Sequence, residues 1–148
     1  MKTAVIYYSA HHGNTGKLLE RIKGEFPDVE LIDVTSCGAA DLSGYDRIGI
    51  ASGIYFNGFA KQLLCFAEEN LPENKPVFFI CTGGAPLKSS LNSVRALAKR
   101  KNCRVTGEYK CLGFDTFGPL KLVGGIAKGH PDESELCGAV EFYRNLPE

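Results

Sequence analysis

Ala4-Val5-Ile6-Tyr7-Tyr8-Ser9-Ala10-His11-His12-Gly13-Asn14-Thr15-Gly16-Lys17-Leu18-Leu19-Glu20-Arg21-Ile22 is the stretch that decides how this chain folds. Its apolar opening reads as a β-strand over about Thr3 to Tyr8, and Leu18, Leu19 and Ile22 then recur at helical spacing. Between the two lie small and hydroxyl residues. A strand that stops there before a helix aims backbone N–H groups and the positive end of the helix dipole at one point, which suits a phosphate. The segment lacks the Gly-Lys-Ser/Thr ending of a nucleotide-hydrolysing loop and the three-glycine spacing of a dinucleotide fingerprint, so a mononucleotide phosphate matches best. Asn14 or Thr15 would also serve as a plain helix cap.

Outward from this stretch, strand-like runs alternate with helical patterns, the signature of a parallel sheet covered by helices on both faces. Further strands are expected at Val29 to Val34, Arg47 to Ser52, Val77 to Cys81 and Cys103 to Leu112, the last interrupted near Gly107. Val77 to Cys81 is the most continuous apolar run, as a central strand buried on both faces requires. Phe59, Leu63, Leu64, Phe66 and Ala67 mark a second helix, and Leu91, Val94, Leu97 and Ala98 a third. A final helix is expected from about Asp132, with Asp132, Glu133 and Glu135 at its positive end. The segment from Gly113 to Pro131 is too long for a simple connection and reads as a functional loop.

With 148 residues, 44% of them hydrophobic and 23% charged, the chain is long enough for one well-buried core, and a single domain over residues 1–148 is expected. Its 17 basic and 17 acidic residues cancel, so no global field draws it to nucleic acid or to an anionic membrane. No apolar stretch approaches membrane-spanning length, and Met1-Lys2 leads into a strand rather than a signal peptide, which points to the cytoplasm. Cys37, Cys65, Cys81, Cys103, Cys111 and Cys137 are scattered, with no CxxC pair and no His and Cys cluster at metal spacing. They read as reduced packing residues, and no metal site is expected.

The chain resembles the flavodoxin-like proteins, in particular the small bacterial FMN-binding flavodoxin family, over nearly its whole length. Flavodoxins carry a hydroxyl residue, a variable residue or two, and then Thr-Gly-Asn-Thr after the first strand. Ser9, Gly13, Asn14 and Thr15 match this pattern, while His11-His12 stands where a threonine is expected and lengthens the loop by one residue. The wording FDTFGP and GGIAKGHP within Gly113 to Pro131 is the other family-specific text. The resemblance implies an α/β three-layer sandwich whose five-stranded parallel sheet has the order 2-1-3-4-5, with FMN at the carboxyl ends of the strands.

It further implies that Ser9, His11, His12, Gly13, Asn14 and Thr15 surround the phosphate, and that a histidine there tunes affinity or potential near neutral pH. Gly53, Ile54, Tyr55, Phe56, Asn57 and Gly58 correspond to the loop facing the flavin ring, with Tyr55 or Phe56 stacked on it and the other pointing inward. Thr82, Gly83 and Gly84 correspond to the loop at the polar rim of the ring, although glycines there also make plain turns. Phe117 or Phe114 would cover the outer side of the flavin and Lys121 and Lys128 reach an anion, unless that segment is packed only for its own stability. FMN carries the electron chemistry, so no catalytic triad is expected. The leading expectation is an electron carrier that docks on a redox partner protein through the flavin edge, as a monomer or homodimer. The alternative is a small FMN-dependent NAD(P)H or quinone reductase, whose electron donor or acceptor is a small molecule. Flavodoxins are usually strongly acidic, and the pI near 6.8 departs from that pattern.

Overall fold

The computed structural model describes residues 1–10, 13–86, 88–114 and 122–148. In chain order the elements are β1 (Thr3–Tyr8), α1 (Asn14–Glu25), β2 (Val29–Asp33), β3 (Arg47–Tyr55), β4 (Gly58–Phe59), α2 (Lys61–Asn70), β5 (Pro76–Gly83), a 3-10 turn (Lys88–Leu91), α3 (Asn92–Arg100), β6 (Arg104–Leu112) and α4 (Glu133–Arg144). The parallel sheet runs β2-β1-β3-β5-β6, and the two-residue β4 pairs back antiparallel onto β3. Leaving β4 aside, this is the order 2-1-3-4-5 expected from the sequence.

Alternation along the strands sorts side chains onto two faces. Val5, Ala51, Phe78 and Ile80 pack with Leu18, Leu19 and Ile22 of α1 and Ala139, Val140 and Tyr143 of α4. Ala4, Ile6, Ile48, Ile50, Val77 and Phe79 pack with α2 and α3 through Leu63, Phe66, Val94 and Leu97. Every residue of β5 from Val77 to Gly83 is buried, which explains its unbroken apolar character. Phe78, fully buried, contributes about 2–3 kcal/mol through burial alone. Among the described residues, no helix is long and apolar enough to cross a membrane.

One strand carries the interruption expected near Gly107, and another runs on past its expected end. In β6 the register with β5 shifts between Val77 and Phe78, so that Thr106 is the extra residue and its hydroxyl donates to the Val77 carbonyl at 3.0 Å. Gly107 follows because a Cβ there would lie 2.7 Å from Leu146 Cδ2 and 2.8 Å from Phe142 Cε2. Gly107→Ala is therefore expected to lower stability by about 1–2 kcal/mol, read as a lower urea midpoint with an unchanged slope.

β3 extends to Tyr55 instead of ending at Ser52, and the loop expected beyond it is a tight hairpin. Phe56 and Asn57 form its turn with φ of 50° and 59°, the left-handed pair of a type I′ turn. Asn57 anchors the turn to the 3-10 segment, donating from Nδ2 to Ser89 Oγ at 3.1 Å and accepting from Ser90 Oγ at 2.9 Å.

The final helix begins as read from the sequence. Asp132 caps α4 by accepting from the Glu135 amide, and the Glu135 side chain accepts from the Asp132 amide, a complete capping box. Its far end carries the chain across the amino-terminal edge of the sheet. Tyr143 donates to Thr3 Oγ1 at 2.9 Å, and Arg47, stacked over the Tyr143 ring at 4.9 Å, reaches the Pro147 carbonyl at 3.4 Å.

Candidate functional site

The carboxyl ends of β3 and β5 meet the first turn of α1 and the residues after β6 in a narrow cleft. It is lined by Asn14, Gly53, Ile54, Tyr55, Thr82, Gly83 and Phe114. All seven are residues singled out from the sequence, and the first six are drawn from three separated loops. Phe114 joins them from a fourth.

The segment preceding α1 is shaped by backbone geometry. Gly13 adopts φ of 65° and ψ of 22°, a left-handed conformation that costs a side-chain-bearing residue about 1 kcal/mol or more, although a Cβ there would meet no other atom. Ser9 Oγ accepts from the Gly16 amide at 3.0 Å, so the hydroxyl oxygen serves the helix start and its hydrogen can point towards an anion. Thr15 is turned away. Its hydroxyl lies 3.0 Å from that of Thr82 in a buried pair that locks α1 to β5. The two threonines act first on each other.

Asn14 is the most informative side chain. It is 5% exposed, and its Nδ2 donates to the Phe114 carbonyl at 2.8 Å, across 100 residues of sequence. That bond fixes the amide orientation and leaves Oδ1 as an acceptor, which is buried and has no hydrogen-bond partner among the described residues. A buried orphan acceptor costs about 1–3 kcal/mol, a cost that a ligand donor would remove. Gly113 permits the arrangement, since a Cβ there would sit 2.7 Å from Asn14 Nδ2. The Gly113 amide also donates to the Gly83 carbonyl at 2.9 Å, so β6 leads directly into the cleft wall.

The two aromatics of the hairpin differ in burial. Tyr55 is half-buried, meets Tyr8 edge-on at 5.6 Å and lies over Gly53, where a Cβ would fall 3.1 Å from its hydroxyl. Phe56 is 89% exposed at the hairpin tip. Phe56, Asn57 and Gly58 stand on the hairpin rather than in the cleft lining, and Gly84 lies in the bend just past β5. His11, His12, Phe117 and Lys121 lie outside the described residues.

Among the described residues, no carboxylate, imidazole or thiol lines the cleft. Nearby, burial pushes the Cys81 thiol up to about 12 and raises Cys111 as well, so both remain protonated at neutral pH and act as packing groups. All six cysteines are free thiols.

The pattern that defines the flavodoxin domain family matches residues 5–111. The chain belongs to that family. This flavodoxin-domain protein is 33% identical over 148 residues to an uncharacterized protein of Methanocaldococcus jannaschii, a match covering 99% of this chain and 98% of the other. Among solved structures it superposes on a Fusobacterium nucleatum flavodoxin mutant bound to flavin mononucleotide with a TM-score of 0.68, at 16% identity over 97% of this chain and 94% of that one. A flavodoxin from the domain Archaea gives a TM-score of 0.61 at 13% identity, covering 95% and 92% of the two chains. At these identities the structural likeness is one of fold. The part of the flavodoxin-domain site that sequence reasoning passed over is the tie from Asn14 to Phe114, for which no local pattern gives a signal.

Proposed function

We propose that the cleft binds FMN and that the protein transfers electrons, docking on a redox partner through the exposed edge of the flavin. The observation that carries this reading is the Asn14 Oδ1, a buried acceptor without a partner among the described residues, at the start of a helix and at the carboxyl ends of the central strands. FMN offers both complements, a phosphate for the helix start and ribityl hydroxyls that donate. The Asn14 and Thr15 amides at the start of α1 and the Ser9 hydroxyl would hold the phosphate, while the Gly16 amide stays on Ser9 Oγ. Asn14 Oδ1 would accept from a hydroxyl, because the phosphate dianion has no hydrogen to give.

When bound, FMN supplies the redox chemistry, taking up and releasing electrons. The chain's own task is to orient it and keep water from it. Ile54, Tyr55 and Phe114 give the cleft apolar surface, and Gly83 brings backbone close to it. None of the described residues that line the cleft is acidic, so none of these would set a negative charge against bound FMN. Single-domain organisation, a cytoplasmic setting and recognition of the partner by local contacts rather than by net charge belong to the same reading.

The purified protein is expected to take up FMN with the absorbance of a bound flavin. It should bind FMN at least about tenfold more tightly than riboflavin, the worth of one charge-assisted hydrogen bond. Protein that stays colourless and quenches no flavin fluorescence overturns the reading. Anaerobic mixing then separates carrier from reductase. The carrier bleaches with dithionite or a reductase but only slowly with NAD(P)H, whereas rapid bleaching by NAD(P)H alone assigns the protein to the reductases.

A further inference from the structure

Glu135 does more than complete the cap of α4. Its Oε1 accepts from the Asp132 amide at 3.1 Å and meets His130 Nδ1, while Oε2 accepts from the Leu112 amide at 2.7 Å. The His130 carbonyl accepts in turn from the Phe114 amide at 2.9 Å, and the Phe114 carbonyl accepts from Asn14 Nδ2. The His130 and Glu135 pair is therefore connected to the amide that faces the cleft. The donor atoms of His130, Asp132 and Glu135 lie within 4.8 Å of one another, but both oxygens of Glu135 and Oδ1 of Asp132 already accept backbone amides. The set is a hydrogen-bonded clasp.

We propose that the pair of His130 and Glu135 is a pH-sensitive clasp on the ligand site. With the imidazole charged, the clasp holds Gly113 and Phe114 where they turn Asn14 Oδ1 into the cleft; with it neutral, the hold weakens and ligand affinity falls. The inference rests on the FMN reading above and adds regulation to it. Charge-assisted hydrogen bonds are about twice as strong as neutral ones, which gives the clasp two strengths.

The hydrogen bond from Glu135 raises His130 above the ordinary imidazole value; partial burial opposes this, and the charges of Glu135 and Asp132 add to it. Burial works against the Glu135 charge, but hydrogen bonds from His130 and the amides of Asp132 and Leu112 outweigh it and keep the carboxylate ionised. The ionisable groups of β6 that sense these carboxylates are Tyr109, pushed up to about 12 chiefly by burial, and Cys111, also raised. Both stay neutral throughout. A raised folded pKa means the clasp is at full strength below the unfolded value of about 6.5 and weakens as pH climbs through the folded one.

FMN dissociation constants for wild type, His130→Gln and Glu135→Gln are to be measured from about pH 5.5 to 9, bracketing the imidazole range. Wild type is expected to weaken by about tenfold, within the usual span of coupling between sites. Both variants should keep only the pH dependence common to all three proteins, which comes from the phosphate's own second ionisation near pH 6 and from the His11-His12 pair. Glutamine at position 135 preserves the capping box, so that variant keeps its helix start. A wild-type profile parallel to that of His130→Gln overturns the clasp. A flavin-free arm follows the Asn14 side-chain amide and the Phe114 backbone amide by NMR. Both should titrate with His130 in wild type and stay fixed in His130→Gln. Resonances that do not move overturn the clasp even if FMN binds, whereas titrating resonances without FMN uptake support the clasp and sink the flavin reading alone.

Discussion

Gly49→Val is expected to leave the chain without a stable folded state. Gly49 lies on β3 between Val5 of β1 and Phe78 of β5. A Cβ there would fall 2.5 Å from Phe78 Cζ, 2.7 Å from its Cε2 and 3.0 Å from Val5 Cγ2. The Phe78 ring cannot retreat, because it is fully buried against Phe142 at 6.1 Å, Tyr143 at 5.8 Å and the Arg47 guanidinium at 5.7 Å. Inserting even a methylene or two into such a core costs about 1–3 kcal/mol, and valine adds three carbons at the centre of the sheet. A loss of about 5 kcal/mol or more would consume most of the stability of a domain this size. Far-UV circular dichroism and a urea titration read the outcome. The cause is isolated by the milder pair Gly49→Ala and Phe78→Leu, which together should cost less than the sum of the two alone by at least about 1 kcal/mol. Strict additivity would show that the two positions do not share the space.

Gly113→Val should have the opposite profile, with a modest effect on stability and a large one on the site. Gly113 follows the end of β6, and the three atoms nearest to a Cβ there all belong to the Asn14 side chain, with Nδ2 at 2.7 Å and Cγ at 2.9 Å. Displacing that amide breaks its bond to the Phe114 carbonyl and turns Oδ1 from the cleft. Losing the hydrogen bond from FMN to Oδ1, worth about 1.4–2.8 kcal/mol at a buried acceptor, corresponds to a loss of about ten- to a hundredfold in FMN affinity. Fluorescence titration with FMN at a pH where His130 is charged measures it, and a urea midpoint serves as the control. Wild-type affinity in this variant would remove Asn14 from the site.

What the sequence made legible follows periodicity and local chemistry. Val77 to Cys81 read as a doubly buried strand, the spacing of Leu18, Leu19 and Ile22 as a helix, and Asp132, Glu133 and Glu135 as the positive end of the last helix. The hairpin after Tyr55 was hidden because Phe56 is a residue type that rarely adopts a left-handed backbone. Its cost is offset by Asn57 gripping Ser89 and Ser90, more than thirty residues away, a tie no local window contains. The opening loop was read correctly as a strand-to-helix turn. Its hydroxyls proved harder to assign, because Thr15 faces Thr82. Both Asn14 with Phe114 and His130 with Glu135 are side-chain partnerships fixed by tertiary approach, and residue types alone do not choose between such pairings.

The C-terminal tail crossing the amino-terminal edge of the sheet has a practical consequence. Thr3, Arg47 and Pro147 meet at that edge, while the cleft opens at the other end of strands such as β3, whose nine residues span about 30 Å. A tether, a fused partner or an electrode attached at either chain end would therefore stand a strand's length from the face through which electrons would pass.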